Sequence, residues 1–173
     1  MWVFGYGSLM WDGWQTQHKC LRMVKATLPG FRRAFNKASV HNWGTRERPG
    51  PTLNIIADPA RSCVGLAFEF PDDMRESIVA AFKRREGRNF ELAEREVILD
   101  EGAPIQAVTP RYVGPNLIVG KSLTQLAEMA RLAIGTDGKS THYVRGIVDK
   151  LVELEIDDPA VGEFSQAVGS GEA

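Results

Sequence analysis

Cysteine and histidine are scarce in this 173-residue chain, with only two and three copies. Cys20 and Cys63 are 43 positions apart and show no metal-like spacing. The N-terminus lacks a basic stretch followed by an apolar one, so no signal peptide is expected. Two isolated cysteines in such a chain read as free thiols of a reducing, cytoplasmic environment. His18, His41 and His142 do not fall at helical i, i+4 spacing, and no metal site is expected from them. No run of about 18 apolar residues occurs, which excludes a membrane-spanning helix. Neither charge sign dominates: 21 Lys and Arg face 22 Asp and Glu, a formal net charge of −1. No global field therefore favours nucleic acid or an anionic membrane. Ser/His/Asp and Cys/His spacings for a nucleophile are missing too, and Gly7-Ser8-Leu9-Met10 is not a Gly-x-Ser-x-Gly elbow. Internal repeats and low-complexity stretches are absent.

What remains is ordinary globular material, 43% hydrophobic and 25% charged, at the size of one domain. The first two-thirds reads mostly as strands. Val24–Leu28 and Phe31–Phe35 flank the turn signal Pro29-Gly30, and Thr52–Ala57 ends at Asp58-Pro59. Cys63–Phe70 alternates, with Val64, Leu66, Phe68 and Phe70 on one face, as a half-buried strand does. Asp72-Asp73 then caps a helix carrying Met74, Ile78, Ala81 and Phe82, which frays near Arg85-Glu86-Gly87. Glu91–Leu99 and Ile105–Val108 return to strand character. Ser122-Leu123-Thr124-Gln125 fits a capping box for a first late helix. Gly135-Thr136-Asp137-Gly138 reads as a loop, and Tyr143, Val144, Ile147, Val148, Leu151 and Val152 form the inner face of a second helix. A third starts near Asp158-Pro159. Antiparallel strands followed by helices give an α+β class, the sheet curling into a small barrel flanked by helices. One domain over residues 1–168 and a disordered tail over 169–173 are expected.

Candidate chemistry begins in the opening strand, Met1 to Tyr6, which runs into Gly7-Ser8. Glycine admits backbone angles closed to other residues and lets a ligand approach the main chain. Successive N–H groups at such a strand end make an anion-binding concavity; an ordinary hairpin turn is the alternative reading. Arg32, Arg33, Lys37, Arg46 and Arg48 form a basic cluster, either a solvated face or a local attraction for an anionic small molecule. His41, beside Trp43, reads as a packing or hydrogen-bonding residue, and Tyr143 as core with its hydroxyl satisfied. Glu86 sits where an amphipathic helix meets a glycine. It is either a surface residue or a carboxylate beside apolar walls, raised towards neutrality and able to shuttle protons.

Taken in order, these segments resemble the ChaC-type γ-glutamylcyclotransferases over nearly the whole chain. Val3-Phe4-Gly5-Tyr6-Gly7-Ser8-Leu9 followed by Trp11 is similar to that family's substrate-loop signature. Pro29-Gly30-Phe31-Arg32-Arg33-Ala34-Phe35, Glu47-Arg48-Pro49-Gly50 and Cys63-Val64-Gly65-Leu66-Ala67-Phe68 resemble its next blocks. Arg85-Glu86 with Phe90 after it matches the Arg-Glu motif, and His142-Tyr143-Val144 with Leu151–Asp158 resembles its ending. Phe90 and Phe68 stand where tyrosine is usual, a departure that bears on specificity more than on reaction type.

The resemblance implies a γ-glutamylcyclotransferase-like fold, mixed but mostly antiparallel, and an enzyme needing neither metal nor cofactor. Its substrate would be a small γ-glutamyl compound, glutathione first, whose α-amine attacks its own γ-carbonyl to give 5-oxoproline and Cys-Gly. Glu86 would be the catalytic acid/base. Tyr6, Gly7, Ser8 and Leu9 would bind substrate through the main chain, and Tyr143 would add a hydroxyl. Other γ-glutamyl amines or amino acids, or a non-catalytic γ-glutamyl-binding domain, are the alternatives. No nucleic-acid or membrane partner is expected, and a monomer is the default.

Overall fold

The computed structural model of the chain describes residues 1–86 and 89–170, except for the Glu86 side chain. Five strands close a barrel. β1 (Trp2–Gly5) is followed by two long strands, β2 (Arg22–Ser39) and β3 (Gly50–Glu69), then by helix α1 (Arg75–Glu86) and the hairpin β4 (Phe90–Leu99) and β5 (Pro104–Tyr112). The strand order is β1-β3-β2-β4-β5, with β1 returning to β5. β1 runs antiparallel to β3 (Trp2 opposite Glu69, Gly5 opposite Leu66) and parallel to β5 (Trp2 opposite Ala107). β4 pairs antiparallel with both β2 and β5. One parallel junction among antiparallel ones is the mixed, mostly antiparallel barrel that the sequence predicts.

Two punctuation signals did not end strands. Pro29-Gly30 lies inside the 18-residue β2, and Asp58-Pro59 inside the 20-residue β3. Gly30 takes φ +75°, open to glycine, so the strand passes through without stopping. At the other signal, Asp58 accepts the Ala60 N–H at 3.2 Å and pairs with Arg32 at 3.2 Å. β3 also differs from a half-buried strand. Leu66 and Phe68 bury one face, while Gly65 and Ala67 bury the other, where a Cβ on Gly65 would meet the Phe4 ring at 3.0 Å. Asp72 lies in a 3₁₀ turn, Asp72–Met74, and pairs with the Met1 amino group; the residue before the turn, Pro71, makes no side-chain cap.

The late segment is helical, as expected. α2 (Leu123–Leu132) carries the full capping box: Ser122 Oγ accepts the Gln125 N–H at 3.3 Å, and Gln125 Oε1 accepts the Ser122 N–H at 2.9 Å. The expected loop over 135–138 is a minimal hairpin, β6 (Ile134–Gly135) and β7 (Gly138–Lys139), whose turn N–H groups donate to the His41 and Asn42 carbonyls. α3 (Ser140–Glu153) buries Tyr143, Val144, Ile147 and Leu151, but Val152 is 72% exposed. α4 (Pro159–Gly169) starts at the Asp158 cap with proline in its first turn, the position where a missing N–H costs nothing. The predicted tail therefore still holds helix at Gly169, and residues 171–173 lie outside the described set.

Contacts group the chain into two compact units, Met1–Arg32 with Ile55–Pro115, and Arg33–Asn54 with Asn116–Ala173. In the first, Trp14 sits edge-on or tilted against Phe68, Phe70 and Phe82 at 4.9–5.4 Å between centroids. In the second, Phe35 of β2 stacks on Phe164 of α4 at 4.0 Å, and Arg131 of α2 donates to the Ala167 carbonyl at the end of α4. Among the described residues, no helix is long and apolar enough to cross a membrane.

Candidate active site

β1 ends at Gly5, and the chain folds back at once into the 3₁₀ turn Ser8–Met10. The bare Cα of Gly5 suits this close fold-back: a Cβ there would lie 3.0 Å from both Leu9 Cβ and Phe68 Cε2. Gly7, by contrast, has φ −131°, so it is not a left-handed residue. Tyr6, Gly7 and Leu9 are buried, and Ser8 is half-buried. The carbonyls of Gly7 and Ser8 are occupied by the N–H groups of Met10, and of Trp11 and Asp12, each at 3.0 Å. The Ser8 and Leu9 N–H groups have no acceptor among the described residues. The turn is thus satisfied on its carbonyl side and presents two consecutive donors, as an oxyanion or carboxylate cradle must.

The turn is tied to α1. Arg85 Nη2 donates to Ser8 Oγ at 3.1 Å and pairs with Asp12 Oδ2. Asp12 Oδ1 accepts the Trp14 N–H at 3.1 Å, and the Trp14 indole N–H donates to the Leu9 carbonyl at 3.1 Å. Glu86 is the last residue of α1, one position beyond Arg85; its side chain lies outside the described residues. Asp12, Trp14, His18, Phe82, Arg84 and Arg85 line a cavity of about 320 Å³ together with Gln17 and Ala81, and none of Tyr6 to Leu9 faces it.

Tyr143 belongs to the second unit. Its ring is buried and tilted against Trp43 at 5.5 Å, and its hydroxyl accepts the Leu53 N–H at 3.1 Å. Trp43 is held in turn by Ser39 Oγ, which accepts its N–H at 3.0 Å. The basic cluster is not one patch: Arg32 pairs with Asp58, Arg33 is buried against Asp158 at 2.8 Å, and Arg46 and Arg48 are exposed. His41 is exposed and contributes its carbonyl to the β6–β7 turn. Burial raises the Cys20 thiol above its ordinary pKa, and neither cysteine forms a disulfide. Phe68 is fully buried against Trp14, and Phe90 is edge-on to Tyr112 at 5.1 Å.

The sequence reading passed over Asp12, Trp14 and Arg85 as site residues. Arg85 lies in the Arg-Glu motif and the other two follow the opening turn, but the bond that joins Arg85 to Asp12 spans 73 positions and has no local cue.

The family described as ChaC-like protein matches residues 1–170. γ-Glutamylcyclotransferase 2-3 of Arabidopsis thaliana is 26% identical, covering 97% of this chain and 88% of its own. The glutathione-specific γ-glutamylcyclotransferase of Escherichia coli K12 is 25% identical, covering 97% and 72%. A solved yeast γ-glutamylcyclotransferase specific to glutathione shares the fold, with TM-score 0.88 at 16% identity over 98% of this chain and 96% of that one. The chain belongs to the ChaC-like family.

Proposed function

We propose that this protein is a γ-glutamylcyclotransferase whose substrate is glutathione, and that residues 1–168 act as one catalytic domain in the cytoplasm. The observation that carries the reading is the turn after β1, with two consecutive N–H groups presented and Arg85 of the Arg-Glu motif bonded to Ser8 Oγ. The family match over residues 1–170 and the names of its relatives support the same reaction.

In this reading the substrate's α-amine attacks its own γ-carbonyl carbon, forming the lactam C–N bond of 5-oxoproline. The bond to the cysteinyl nitrogen breaks, and Cys-Gly leaves. The attacking amine loses a proton and the leaving nitrogen gains one, so one carboxylate, Glu86, serves both steps. The Ser8 and Leu9 N–H groups hold the α-carboxylate or the developing oxyanion, and Tyr6 and Gly7 shape that cradle. Tyr143 contributes a hydroxyl to substrate binding. Holding the γ-glutamyl arm bent is itself a large part of the rate, because ring closure depends on orientation. No metal or cofactor takes part in these steps, and activity is expected to survive dialysis against EDTA.

The test is direct. Pure protein is incubated with glutathione, γ-glutamyl-alanine and γ-glutamyl-lysine, and 5-oxoproline is measured. Fastest release from glutathione is the expected result. Faster turnover of another γ-glutamyl compound would move the substrate assignment, and no 5-oxoproline from any of them would end the enzymatic reading.

A further inference from the structure

Arg85 takes no step in the reaction just described, yet its bonds converge on the substrate turn. One terminal nitrogen, Nη2, reaches both Ser8 Oγ, at 3.1 Å, and Asp12 Oδ2. Asp12 passes the connection to the Trp14 N–H, and the Trp14 indole returns it to the Leu9 carbonyl. Since Ser8 and Leu9 are consecutive, these bonds form a closed ring through both residues whose N–H groups are presented. Trp14 is also the centre of the aromatic contacts with Phe68, Phe70 and Phe82, so the ring is anchored to β3 and α1.

An arginine in the last turn of a helix needs none of this. The helix dipole and water satisfy such a cation, which then extends freely into solvent. Here the Arg85 side chain is 34% exposed and Asp12 23%, both drawn in against the turn. We propose that Arg85 is a positioning residue, fixing the Tyr6–Leu9 turn to the C-terminal end of α1, one residue from Glu86. The proposal rests on the cyclotransferase reading for its consequence in catalysis, although the brace itself is a matter of geometry. Its physical role is registration. The donors that hold the substrate and the helix end that carries the acid/base must keep a fixed spacing, and a misplacement of about 1 Å can cost about 10²-fold in rate.

The test compares Arg85→Met, Arg85→Lys and Asp12→Asn with wild type, using steady-state kinetics on glutathione and amide hydrogen exchange over residues 8–12. In Arg85→Met, amides of the turn should exchange faster, and kcat/KM should fall about 10–100-fold. The drop should be divided between a lower kcat and a higher KM, because both registration and the cradle are disturbed. Arg85→Lys keeps a donor that can reach Ser8 or Asp12, and should restore part of the loss. Asp12→Asn keeps the acceptor for Trp14 while removing the charge, and should fall in between. Unchanged exchange over 8–12 in Arg85→Met would overturn the brace. Faster exchange with kcat/KM within twofold of wild type would overturn its positioning role. If wild type releases no 5-oxoproline from any γ-glutamyl compound, the functional reading fails, and the exchange comparison still decides the brace.

Discussion

Two arginine–aspartate pairs, one in each unit, use the same chemistry to different ends. Arg33 is fully buried and meets Asp158, 11% exposed, at 2.8 Å; Asp158 also accepts the Val161 N–H and so starts α4. Arg85 and Asp12 are about a quarter to a third exposed and close on a 3₁₀ turn beside the end of α1. A buried pair holds a fold because removing one partner strands the other charge out of water. A half-exposed pair contributes little to stability, since water and salt screen it and ordering two long side chains costs entropy. What it fixes well is direction. The lesson is that burial, more than residue type, decides whether an ion pair is structural or positional.

The sharpest way to test that division is to alter chemistry without altering any pair. Glu86→Gln keeps size and hydrogen-bonding reach but cannot accept a proton. Turnover should fall about 10²–10⁴-fold with Tm unmoved, while Glu94→Gln stays close to wild type. A folded Glu86→Gln protein still within a fewfold of the wild-type rate would refute the proposed mechanism.

Breaking the buried pair should do the reverse. Arg33→Met leaves Asp158 nearly enclosed without its cation, and urea denaturation should show a loss of about 3–5 kcal/mol. Turnover per folded molecule should remain within about twofold. A large kinetic defect at unchanged stability would abolish the contrast between the two pairs.

The same denaturation measurement on Arg85→Met should register less than about 1 kcal/mol, because its ion pair is partly solvated. A loss as large as that of Arg33→Met would make the turn brace a stability element instead. Ser122→Ala removes the α2 cap and should cost about 1 kcal/mol, and it alone among the variants followed by denaturation should leave the kinetics untouched. It calibrates what a purely local stabilising contact is worth in this molecule.

Several parts of the molecule were legible before any tertiary information. The capping box at Ser122 and Gln125, and the start of α4 at Asp158-Pro159, depend on residues within one helical turn of each other, so local sequence suffices to specify them. β4 appeared for a similar reason, its strand character lying in one contiguous segment, Glu91–Leu99. Misreadings clustered where a distant partner changed the meaning of a local cue. Pro29-Gly30 ends many strands, but β2, paired with both β3 and β4 in the barrel, runs through it with one left-handed glycine. Phe68 alternates as in a half-buried strand, yet Trp14 comes from 54 positions away to cover that face.

The candidate site divides along the same line. The β1–turn motif, the Arg-Glu motif and the late tyrosine were legible through the resemblance to the ChaC-type family, because each is a short contiguous block that can be compared without knowing the fold. How tightly Gly5 is packed was decided by the fold: an added Cβ would meet Leu9 and Phe68 at 3.0 Å, a closeness that its position in the sequence does not announce. Only the tertiary structure could turn Arg85 from a helix-end surface cation into the clasp of the Ser8 turn. A hydrogen bond across 77 residues has no local signature, because it exists only after the barrel strands and α1 have brought its two ends within 3.1 Å.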